Sequence, residues 1–295
     1  MRIVSIGEVL WDVIGDKEFL GGAPLNFAAH AARLGHTVFF VSAVGKDERG
    51  RRVLKRMREL GLSTRYVREI GTHPTGVVTA ELDPAGVPRF TLHHPAAYDA
   101  PELTEDELAE LLAPKPDWIY FGTLFQLSPQ AKQLTYRLLD SHCGARLLYD
   151  INLRKDHYTG PLVRELMGRG QVVKLNEDEA SKIDLMFGRG TRTVEDFCRH
   201  YTSEFGWPSV CVTLGEKGCA MLVNGEYVEG PGYAVQIQDT VGAGDAFAAA
   251  FAHGLSMQWP PVEIADFANR VAALVASRPG GTPAWTLEEA RALSK

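Results

Sequence analysis

Several features are scarce in this chain of 295 residues, and each scarcity excludes a class of protein. Only four cysteines occur, with no CxxC pair, so we expect buried reduced thiols rather than disulfides; they are Cys143, Cys198, Cys211 and Cys219. No run of about 18 apolar residues is present, which argues against a membrane-spanning helix. The N-terminal segment lacks a basic leader and a small-residue cleavage site, and we therefore expect a cytoplasmic protein.

Positive charge is in short supply as well. The chain carries 31 lysines and arginines against 37 aspartates and glutamates, which gives a net charge of −6. Broad binding to nucleic acid or to an anionic membrane requires a positive field, so we expect neither partner. One basic stretch, residues 46–60, has the spacing of an amphipathic helix with a solvated charged face. No GxxxxGK[ST] segment occurs, which excludes a P-loop enzyme.

Short apolar runs alternate with helical patterns from residue 100 onward, an order that is typical of βαβ units. The apolar runs are 118–124, 146–152, 172–176 and 209–215, and helical patterns fall near 129–142 and 159–168. Two N-terminal runs are equally apolar, as expected for strands that are buried on both faces of a parallel sheet. We predict an α/β protein with a doubly wound, mostly parallel sheet and helices on both sides.

A second, smaller sheet is also predicted. Residues 77–82 and 89–93 alternate between apolar and polar around a turn at 83–86, which is a hairpin signal rather than a crossover. Residues 11–19 can join this hairpin. The chain contains no Gly/Ser linker and no internal repeat, so we expect the small sheet to be inserted in the main domain rather than tethered to it.

The strongest chemical signal is the segment DTVGAGD, Asp239 to Asp245. The apolar residues that follow fall on one face of a helix that begins near Gly242. Gly242 and Gly244 leave backbone N–H groups open at the helix N-terminus, where the helix dipole favours phosphate oxygens. Asp245 can then accept the proton of an attacking hydroxyl. The alternative is close helix packing, with Asp245 as an ordinary first-turn carboxylate.

A second glycine pair opens the segment GGAPLNFAAHAARLG, residues 21–35. Gly21 and Gly22 permit close backbone approach, while Pro24 and Asn26 suit a helix start. Asn26 can offer its amide to the hydroxyls of a ligand. The alternative is a capped, alanine-rich helix without a binding role.

A basic pair follows one of the apolar runs, in the segment YDINLRKDHY. Arg154 lies close to the end of a strand, at the edge where open α/β sheets bind ligands. Its guanidinium can hold a phosphate in a bidentate manner, whereas Lys155 has the simpler interpretation of a solvated charge.

Four segments together resemble the ribokinase-like (PfkB) carbohydrate kinases, in this order and at these separations: GGAPLNFAAHAARLG, LNEDEA (175–180), VTLGEKG (212–218) and DTVGAGD. The resemblance spans nearly the whole chain. It implies one Rossmann-like, three-layer α/β/α domain over residues 1–295, with a small β-sheet lid inserted as segments of approximately 11–20 and 74–98. It further implies ATP and Mg²⁺ as cofactors.

The resemblance assigns roles to the residues at matching positions. Asp245 becomes the catalytic base, with Gly242, Ala243 and Gly244 as an anion hole and Arg154 as a further catalytic group. The sugar-binding residues are Asp12, Gly21, Gly22, Asn26, Phe90, Tyr98 and Asp245. The nucleotide-binding residues are Asn176, Thr213, Gly215, Gly218, Gly242, Gly244 and Asn269.

Two ion sites are implied in the same way. Asn176 and Glu179 form an NxxE motif that helps to organise Mg²⁺ through water. A possible K⁺ site, built mostly of backbone carbonyls, comprises Asp239, Val241, Val275, Arg278, Gly280 and Ala284. For this last group the alternative is a plain C-terminal turn.

The acceptor is less constrained than the donor. The DxNxR run at 150–154 is typical of fructokinase-like and ketodeoxygluconate-kinase-like members, and HHPAAYD (93–99) resembles bacterial fructokinases. D-fructose, converted to fructose 6-phosphate, is therefore the leading acceptor. The alternatives are 2-keto-3-deoxygluconate, ribose or a nucleoside, and less favourably a catalytically inactive sugar-binding protein. The exposed edges of a lid sheet are also compatible with a homodimer.

Overall fold

The computed structural model describes residues 1–82, 88–141 and 144–294. Its strands are β1 (Arg2–Ile6), β2 (Leu10–Ile14), β3 (Lys17–Gly21), β4 (Thr37–Gly45), β5 (Val67–Ile70), β6 (Gly76–Leu82), β7 (Pro88–Leu92), β8 (Trp118–Gly122), β9 (Arg146–Asp150), β10 (Val172–Asn176), β11 (Ser209–Thr213), β12 (Gly218–Val223) and β13 (Glu226–Pro231). Its α-helices are α1 (Ala23–Arg33), α2 (Glu48–Glu59), α3 (Glu105–Leu112), α4 (Pro129–Leu139), α5 (Gly160–Arg169), α6 (Glu177–Phe187), α7 (Val194–Phe205), α8 (Ala243–Ser256), α9 (Pro261–Ala276) and α10 (Leu287–Ala292).

Nine strands form one large sheet in the order β13-β12-β11-β10-β9-β8-β1-β4-β5. From β5 to β11 every neighbouring pair is parallel. The apolar runs explain this arrangement, because a parallel strand is covered by helices on both faces and so contains few polar residues. Strand β8 shows the pattern most clearly, since all five of its residues are buried. The predicted mostly parallel sheet is confirmed.

Helices cover both faces of this sheet and create two hydrophobic cores. One core unites α1, α2, α8, α9 and α10 with the sheet, and the other unites α3 to α7 with the opposite face. The result is the predicted three-layer α/β/α arrangement. Among the residues described, no helix combines the length and the apolar character that crossing a bilayer demands.

A separate four-stranded sheet has the order β3-β2-β6-β7, with antiparallel β3/β2 and β6/β7 pairs. We call it the accessory sheet. It contains the two segments that the alternating pattern predicted, and the chain enters it directly after β1 and again after β5. The turn at residues 83–86, which the sequence also predicted, lies outside the described residues.

The large sheet has an antiparallel end that the βαβ pattern did not predict. Strand β11 is followed by the hairpin β12–β13, which extends the sheet by two strands. Cys211 and Cys219 lie in this region, and together with Cys198 they are buried free thiols. Cys143 lies outside the described residues. The expectation of buried reduced thiols therefore holds for the three described cysteines.

Strand order fixes where ligands can bind. Strand β1 lies between β4 and β8, and the chain continues to opposite sides of the sheet from this point. In open α/β sheets the crevice at such a reversal, outside the carboxyl ends of the strands, is the usual ligand site. The carboxyl ends of β1, β9 and β10 therefore face the candidate site.

A histidine pair at the far end of α8 leads to a prediction about acid stability. The Nε2 atom of His36 lies 2.9 Å from the Nδ1 atom of His253, and burial lowers the pKa of His36 to about 4. His36 is therefore neutral in the folded protein but is protonated below pH 6.5 in the unfolded chain, so acid favours unfolding. His36→Gln removes this linkage. We expect the stability advantage of the wild type over this variant to shrink by up to about 1.4 kcal/mol per pH unit between pH 6.5 and pH 4.

Urea unfolding of both proteins at several pH values measures that difference. Titrating groups distant from His36 contribute equally in the two proteins and cancel, so the difference reports His36 together with its contacts His253 and the N-terminal ammonium group. A stability difference that stays constant from pH 7 to pH 4.5 would contradict the assignment of a neutral His36.

Candidate functional site

The glycine-rich turn before α8 has the backbone geometry of an anion site. Gly242 caps the helix with φ of 78°, a left-handed conformation that favours glycine, and α8 begins at Ala243. The N–H group of Ala243 donates to the Thr240 carbonyl at 3.3 Å. For the N–H groups of Gly242 and Gly244, no acceptor is found among the described residues. Of the three predicted amides, two are therefore open, while that of Ala243 is engaged within the turn.

Asp245 lies in the first turn of α8 and is partly buried. Its Oδ2 atom accepts a hydrogen bond of 2.8 Å from the Nδ2 atom of Asn26. Burial raises the pKa of Asp245 to about 6, and the Asp150 carboxylate adds to this rise, while Lys174, Asn26 and Arg154 oppose it. A carboxyl with this pKa is ionised near neutral pH and still basic enough to accept a proton.

Asn26 reaches Asp245 from α1. Gly22 caps that helix, and Pro24 occupies its first turn, as the sequence predicted. The Asn26 side chain is 3% exposed, and its Oδ1 atom has no hydrogen-bond partner among the described residues. One half of the amide therefore orients the carboxylate of Asp245, while the other half is available to a ligand.

A buried ion pair lies behind the turn. The Nζ atom of Lys174 is 3.2 Å from each carboxylate oxygen of Asp150, and the Tyr120 hydroxyl donates to the same carboxylate at 3.1 Å. Burial opposes the charge of Lys174, but the carboxylates of Asp150, Glu179 and Asp245 raise its pKa above the ordinary value. An ideal Cβ atom at Gly244 would lie 3.1 Å from the Lys174 Nζ atom. The ammonium group therefore lies directly beside the open amides.

Glu8, two residues beyond β1, adds a buried carboxyl group. It is 4% exposed, and its Oε2 atom has no partner among the described residues. Burial raises its pKa to about 7, with Arg154 opposing the rise and the carboxylates of Asp245 and Asp150 increasing it. These electrostatic couplings bring Glu8 into the same site as the candidate base.

Several predicted acceptor-binding residues lie on the accessory sheet or next to it. Asp12 is half-buried in β2, and burial raises its pKa. An ideal Cβ atom at Gly21 would lie only 2.4 Å from the Asp12 Oδ2 atom, so glycine leaves room for that carboxylate. Tyr98 is fully buried, and its hydroxyl has no partner among the described residues. Phe90 lies in β7 of the accessory sheet.

Arg154 lies on the loop that follows β9 and is exposed. No hydrogen bond of its guanidinium is found among the described residues, yet its positive charge acts on the carboxyls of Glu8, Asp12 and Asp245. The group therefore faces the site without being fixed to it. This geometry is compatible with the predicted phosphate contact.

The predicted magnesium motif forms the N-terminal cap of α6. The Asn176 Oδ1 atom accepts from the Glu179 N–H group, and the Glu179 Oε2 atom accepts from the Asn176 N–H group, both at 2.9 Å. The remaining oxygen of Glu179 accepts from the Leu153 N–H group at 2.7 Å. This is a capping box. Each oxygen of the Glu179 carboxylate already accepts one protein hydrogen bond, so direct metal ligation is disfavoured and contact through water remains a prediction.

The predicted nucleotide loop follows β11. Thr213 is partly buried at the end of that strand, and Gly215 begins a short turn that leads to Gly218. An ideal Cβ atom at Gly218 would lie 2.0 Å from the Gly230 carbonyl oxygen, so the loop packs closely on β13. The loop thus lies at the same sheet edge as Asn176.

Asn269, in α9, braces the wall next to this loop. Its Nδ2 atom donates to the carbonyls of Gly230 and Pro231, at 3.0 and 3.2 Å. The amide hydrogens are therefore engaged by β13. A direct contact with the nucleotide remains a prediction, and the observed role of Asn269 is structural.

The six residues of the predicted K⁺ site are close together. The Asp239 carboxylate accepts from the N–H groups of Val241 and Gly280, each at 3.0 Å. The Val275 carbonyl accepts from the Arg278 N–H group, and the Ala284 carbonyl accepts from the Arg278 guanidinium. The six residues are linked by these contacts, but the carbonyl oxygens of Val275 and Ala284 already have donors, so ion binding stays a prediction.

Sequence reasoning missed three charged residues of the site: Glu8, Asp150 and Lys174. One signal was available, because a lysine within the apolar run 172–176 must be buried and therefore needs a partner. Asp150, the last residue of β9, is that partner. Their contact joins residues 24 positions apart, which periodicity alone does not predict.

The site combines open helix-start amides, a candidate carboxylate base and a nearby buried ammonium group at the carboxyl edge of a doubly wound sheet. This combination is that of a phosphotransferase that acts on a hydroxyl. Residues 2–287 match the model of the family described as pfkB family carbohydrate kinase. The chain belongs to this family. The predicted enzyme class, an ATP-dependent sugar phosphotransferase, is confirmed by this membership together with the following relatives.

Two relatives show how far the similarity extends. A putative sugar kinase of Pyrococcus horikoshii is 28% identical over 304 residues, with 96% of this chain and 92% of the relative covered. A fructokinase of Escherichia coli is 27% identical over 302 residues, with 96% and 95% covered. The crystal structure of a fructokinase from Xylella fastidiosa with bound ATP has a TM-score of 0.88 at 22% identity and covers 99% of this chain and 97% of its own. This last likeness supports the fold.

The backbone at Gly242 leads to a second prediction. An ideal Cβ atom there would lie 2.2 Å from the Gly281 carbonyl oxygen, so Gly242→Ala must displace the turn or the neighbouring loop. We expect kcat/KM to fall about 10-fold or more, because a small misplacement of the open amides weakens their contact with phosphate. Steady-state kinetics at saturating and limiting ATP measure the loss.

Gly206→Ala is a matched control for this variant. Gly206 has φ of 70°, but nothing lies within 4 Å of its ideal Cβ atom. Both variants share the cost of a left-handed alanine, about 1–2 kcal/mol. Equal losses of activity in the two variants would contradict a specific role for the Gly242 turn.

Proposed function

We propose that this enzyme transfers the γ-phosphoryl group of ATP to a neutral sugar, with D-fructose as the preferred acceptor and fructose 6-phosphate as the product. The observation that carries this proposal is a set of buried polar atoms that lack partners among the described residues: Glu8 Oε2, Asn26 Oδ1 and the Tyr98 hydroxyl oxygen. Buried polar atoms are normally hydrogen-bonded. A ligand with several hydroxyl groups supplies the missing partners.

Charge favours a neutral acceptor over an acidic one. Glu8, Asp12 and Asp245 contribute three carboxyl groups near the acceptor position, of which Glu8, with a pKa of about 7, is only partly ionised at neutral pH. Arg154 contributes one positive charge, while the charge of Lys174 is paired with Asp150. The carboxylate of 2-keto-3-deoxygluconate would add to this negative charge. Ribose and nucleosides are neutral and remain the other candidates. The fructokinase name of the Escherichia coli relative supports fructose among the neutral sugars.

The proposed chemistry follows from the positions of the groups. Asp245 accepts the proton of the sugar hydroxyl as the hydroxyl oxygen attacks the γ-phosphorus; the bond from the γ-phosphorus to the β,γ-bridging oxygen breaks, and ADP leaves. Asn26 holds the carboxylate of Asp245 in orientation. The Gly242 and Gly244 amides bind phosphoryl oxygens, and the Lys174 ammonium lies within reach of the same region. Arg154 closes over the transferring group from the loop after β9. Closure of the accessory sheet as a lid would exclude water, which competes with the sugar.

Both proposed ions have residues that fit them. Mg²⁺, when bound, neutralises developing charge on the phosphates. Asn176 and Glu179 would hold it through water, because their oxygens are already engaged in the capping box. K⁺ would be bound between the turn of Asp239 and the loop that contains Gly280, two segments that are joined by the hydrogen bond from the Gly280 N–H group to the Asp239 carboxylate.

A screen of acceptors tests the proposal. ADP release is measured with ATP and Mg²⁺ over fructose, ribose, 2-keto-3-deoxygluconate and nucleosides. We expect the highest kcat/KM with fructose and a weaker reaction with the acidic sugar. A preference for 2-keto-3-deoxygluconate would overturn the charge argument while leaving the kinase assignment intact. Binding of sugar without any ADP release would instead favour the inactive sugar-binding protein.

Location and assembly complete the proposal. We propose a cytoplasmic enzyme that forms a homodimer through the accessory sheet. Ile14 and Phe19, both on this sheet, are 50% and 42% exposed, which supports a partner that covers them. Sedimentation of the wild type and of an Ile14→Lys variant tests the dimer.

A further inference from the structure

A buried histidine in α1 connects the C-terminal loop to the candidate site. His30 is fully buried, and its Nε2 atom lies 2.9 Å from the Gly281 carbonyl oxygen. The Nε1–H group of Trp285 donates to the Nδ1 atom of His30 at 3.0 Å, and Trp285 is itself 4% exposed. One imidazole ring therefore contacts two points of the loop that follows α9.

These two partners determine the form of the ring. An indole N–H group is only a donor, so the Nδ1 atom of His30 must be the acceptor. A carbonyl oxygen is only an acceptor, so the Nε2 atom carries the proton and donates to Gly281. Only the neutral imidazole with a proton on Nε2 satisfies both contacts.

Gly281, which accepts the hydrogen bond from His30, lies between the Gly242 turn and Asn26. The Gly281 peptide packs against Gly242, since an ideal Cβ atom at Gly242 would lie 2.2 Å from the Gly281 oxygen and 2.6 Å from its Cα atom. On its other side, an ideal Cβ atom at Gly281 would lie 2.9 Å from the Nδ2 atom of Asn26. Gly281 thus touches both the phosphate turn and the amide that orients Asp245.

Helix periodicity explains how one helix serves both contacts. Asn26 and His30 are four residues apart in α1, so their side chains lie on the same face, one turn apart. Asn26 donates to Asp245, while His30 donates to the loop that packs beneath the Gly242 turn. Fixing the loop to α1 therefore fixes the position of the Gly242 turn relative to Asn26, the residue that orients Asp245.

We propose that His30 is a positioning residue for phosphoryl transfer, which holds the loop of residues 280–285 against the Gly242 turn and thereby sets this turn, together with Asp245 on α8, relative to Asn26 on α1. The proposal rests on the proposed function only in that the reaction uses these amides. His30 itself touches neither substrate nor reacting atoms.

Two substitutions separate positioning from packing. His30→Leu removes the hydrogen bonds to Gly281 and Trp285 and places an apolar side chain in the core. His30→Gln retains a terminal N–H donor that can reach the Gly281 carbonyl. We expect kcat to fall about 10-fold to 100-fold in His30→Leu, because displacement of a reacting group by a fraction of an ångström has effects of this order. His30→Gln should recover most of this loss.

Two further variants serve as controls. His36→Gln perturbs another buried histidine in contact with α8, far from the Gly242 turn, and should leave kcat within about twofold of the wild type at a comparable loss of thermal stability. Trp285→Phe removes only the donor to His30. We expect an intermediate loss of kcat from Trp285→Phe, which also tests the proposal should His30→Leu fail to fold.

The measurements are kcat, KM for ATP, KM for the acceptor, and thermal unfolding of each variant. Equal kcat losses in His30→Leu and His36→Gln, or no recovery in His30→Gln, would overturn the positioning role. The acceptor that the wild type uses best is chosen first, so an error in the fructose proposal changes the assay and not the comparison. If the wild type turns over no acceptor, the proposed function fails before the variants are compared.

Discussion

Asp245→Asn should lower kcat by on the order of 10²-fold to 10⁴-fold while leaving ATP affinity nearly unchanged. The substitution preserves the shape of the side chain and still offers an oxygen to the Asn26 amide, which donates to Asp245 at 2.8 Å in the wild type. It removes the basic carboxylate. The sugar hydroxyl must then lose its proton without a positioned acceptor. Steady-state kinetics and an independent titration of ATP binding separate the two effects.

The pH profile gives the same prediction a second readout. Burial raises the pKa of Asp245 to about 6, and the base acts only when ionised. Wild-type kcat/KM should therefore decrease as pH falls through about 6, whereas the residual activity of the variant should lack this acid limb. An unchanged acid limb in the variant would assign the titration to another group.

The control for this prediction is Asp196→Asn. Asp196 is an exposed first-turn carboxylate of α7, so its substitution removes the favourable interaction with a helix dipole and no proposed base. We expect full activity from it. If Asp245→Asn also retained turnover within about 10-fold of the wild type, Asp245 would be no more than an ordinary first-turn carboxylate.

Lys174→Met should destabilise the protein by roughly 3–5 kcal/mol, the usual cost of leaving one member of a buried ion pair alone. Lys174 is 6% exposed, Asp150 is fully buried, and the ammonium group lies 3.2 Å from both carboxylate oxygens. Without the positive charge of Lys174, the repulsion between the carboxylates of Asp150 and Asp245 is less compensated. Turnover should fall as well, because a positive charge beside the Gly244 amide is lost. Urea unfolding and kcat measure the two losses.

A double variant separates these losses. Asp150→Asn combined with Lys174→Met removes both charges, and we expect it to recover much of the stability that Lys174→Met loses. It should not recover turnover, since the ammonium group remains absent. If the stability loss of the double variant equalled the sum of the losses in Asp150→Asn and Lys174→Met, the two residues would not be coupled in the folded protein.

The central sheet was predictable because its signal is local and repeated. Each parallel strand is apolar on both faces, so runs such as 118–124 and 146–152 identify themselves without knowledge of their neighbours. The β6–β7 hairpin was predictable in the same way, from the alternation of apolar and polar residues along each strand. Strands β12 and β13 were not predicted, since β12 is as apolar as its parallel neighbours and only its pairing shows that it is antiparallel.

The residues of the candidate site likewise fall into those that a local motif predicts and those that depend on distant contacts. Gly242 and Asp245 belong to one short motif, and the start of α8 at Ala243 agrees with it. Glu8, Lys174 and His30 were not found as members of the site, because each depends on a partner that is distant in the chain. The partner of His30, Gly281, is 251 positions away. Spacing predicts groups that share one helix or turn, and tertiary contacts supply the others.

The insertion of the β2–β3 hairpin between β1 and α1 also bears on how such an enzyme can change during evolution. The chain leaves the large sheet after Glu8, forms β2 and β3, and re-enters the main domain at Gly22. Asp12 therefore belongs to the accessory sheet, whereas Asn26 and Asp245 belong to the main domain. Mutations in the hairpin can therefore alter which hydroxyl compound is accepted while the phosphoryl chemistry stays intact. A change of substrate need not pass through an inactive intermediate.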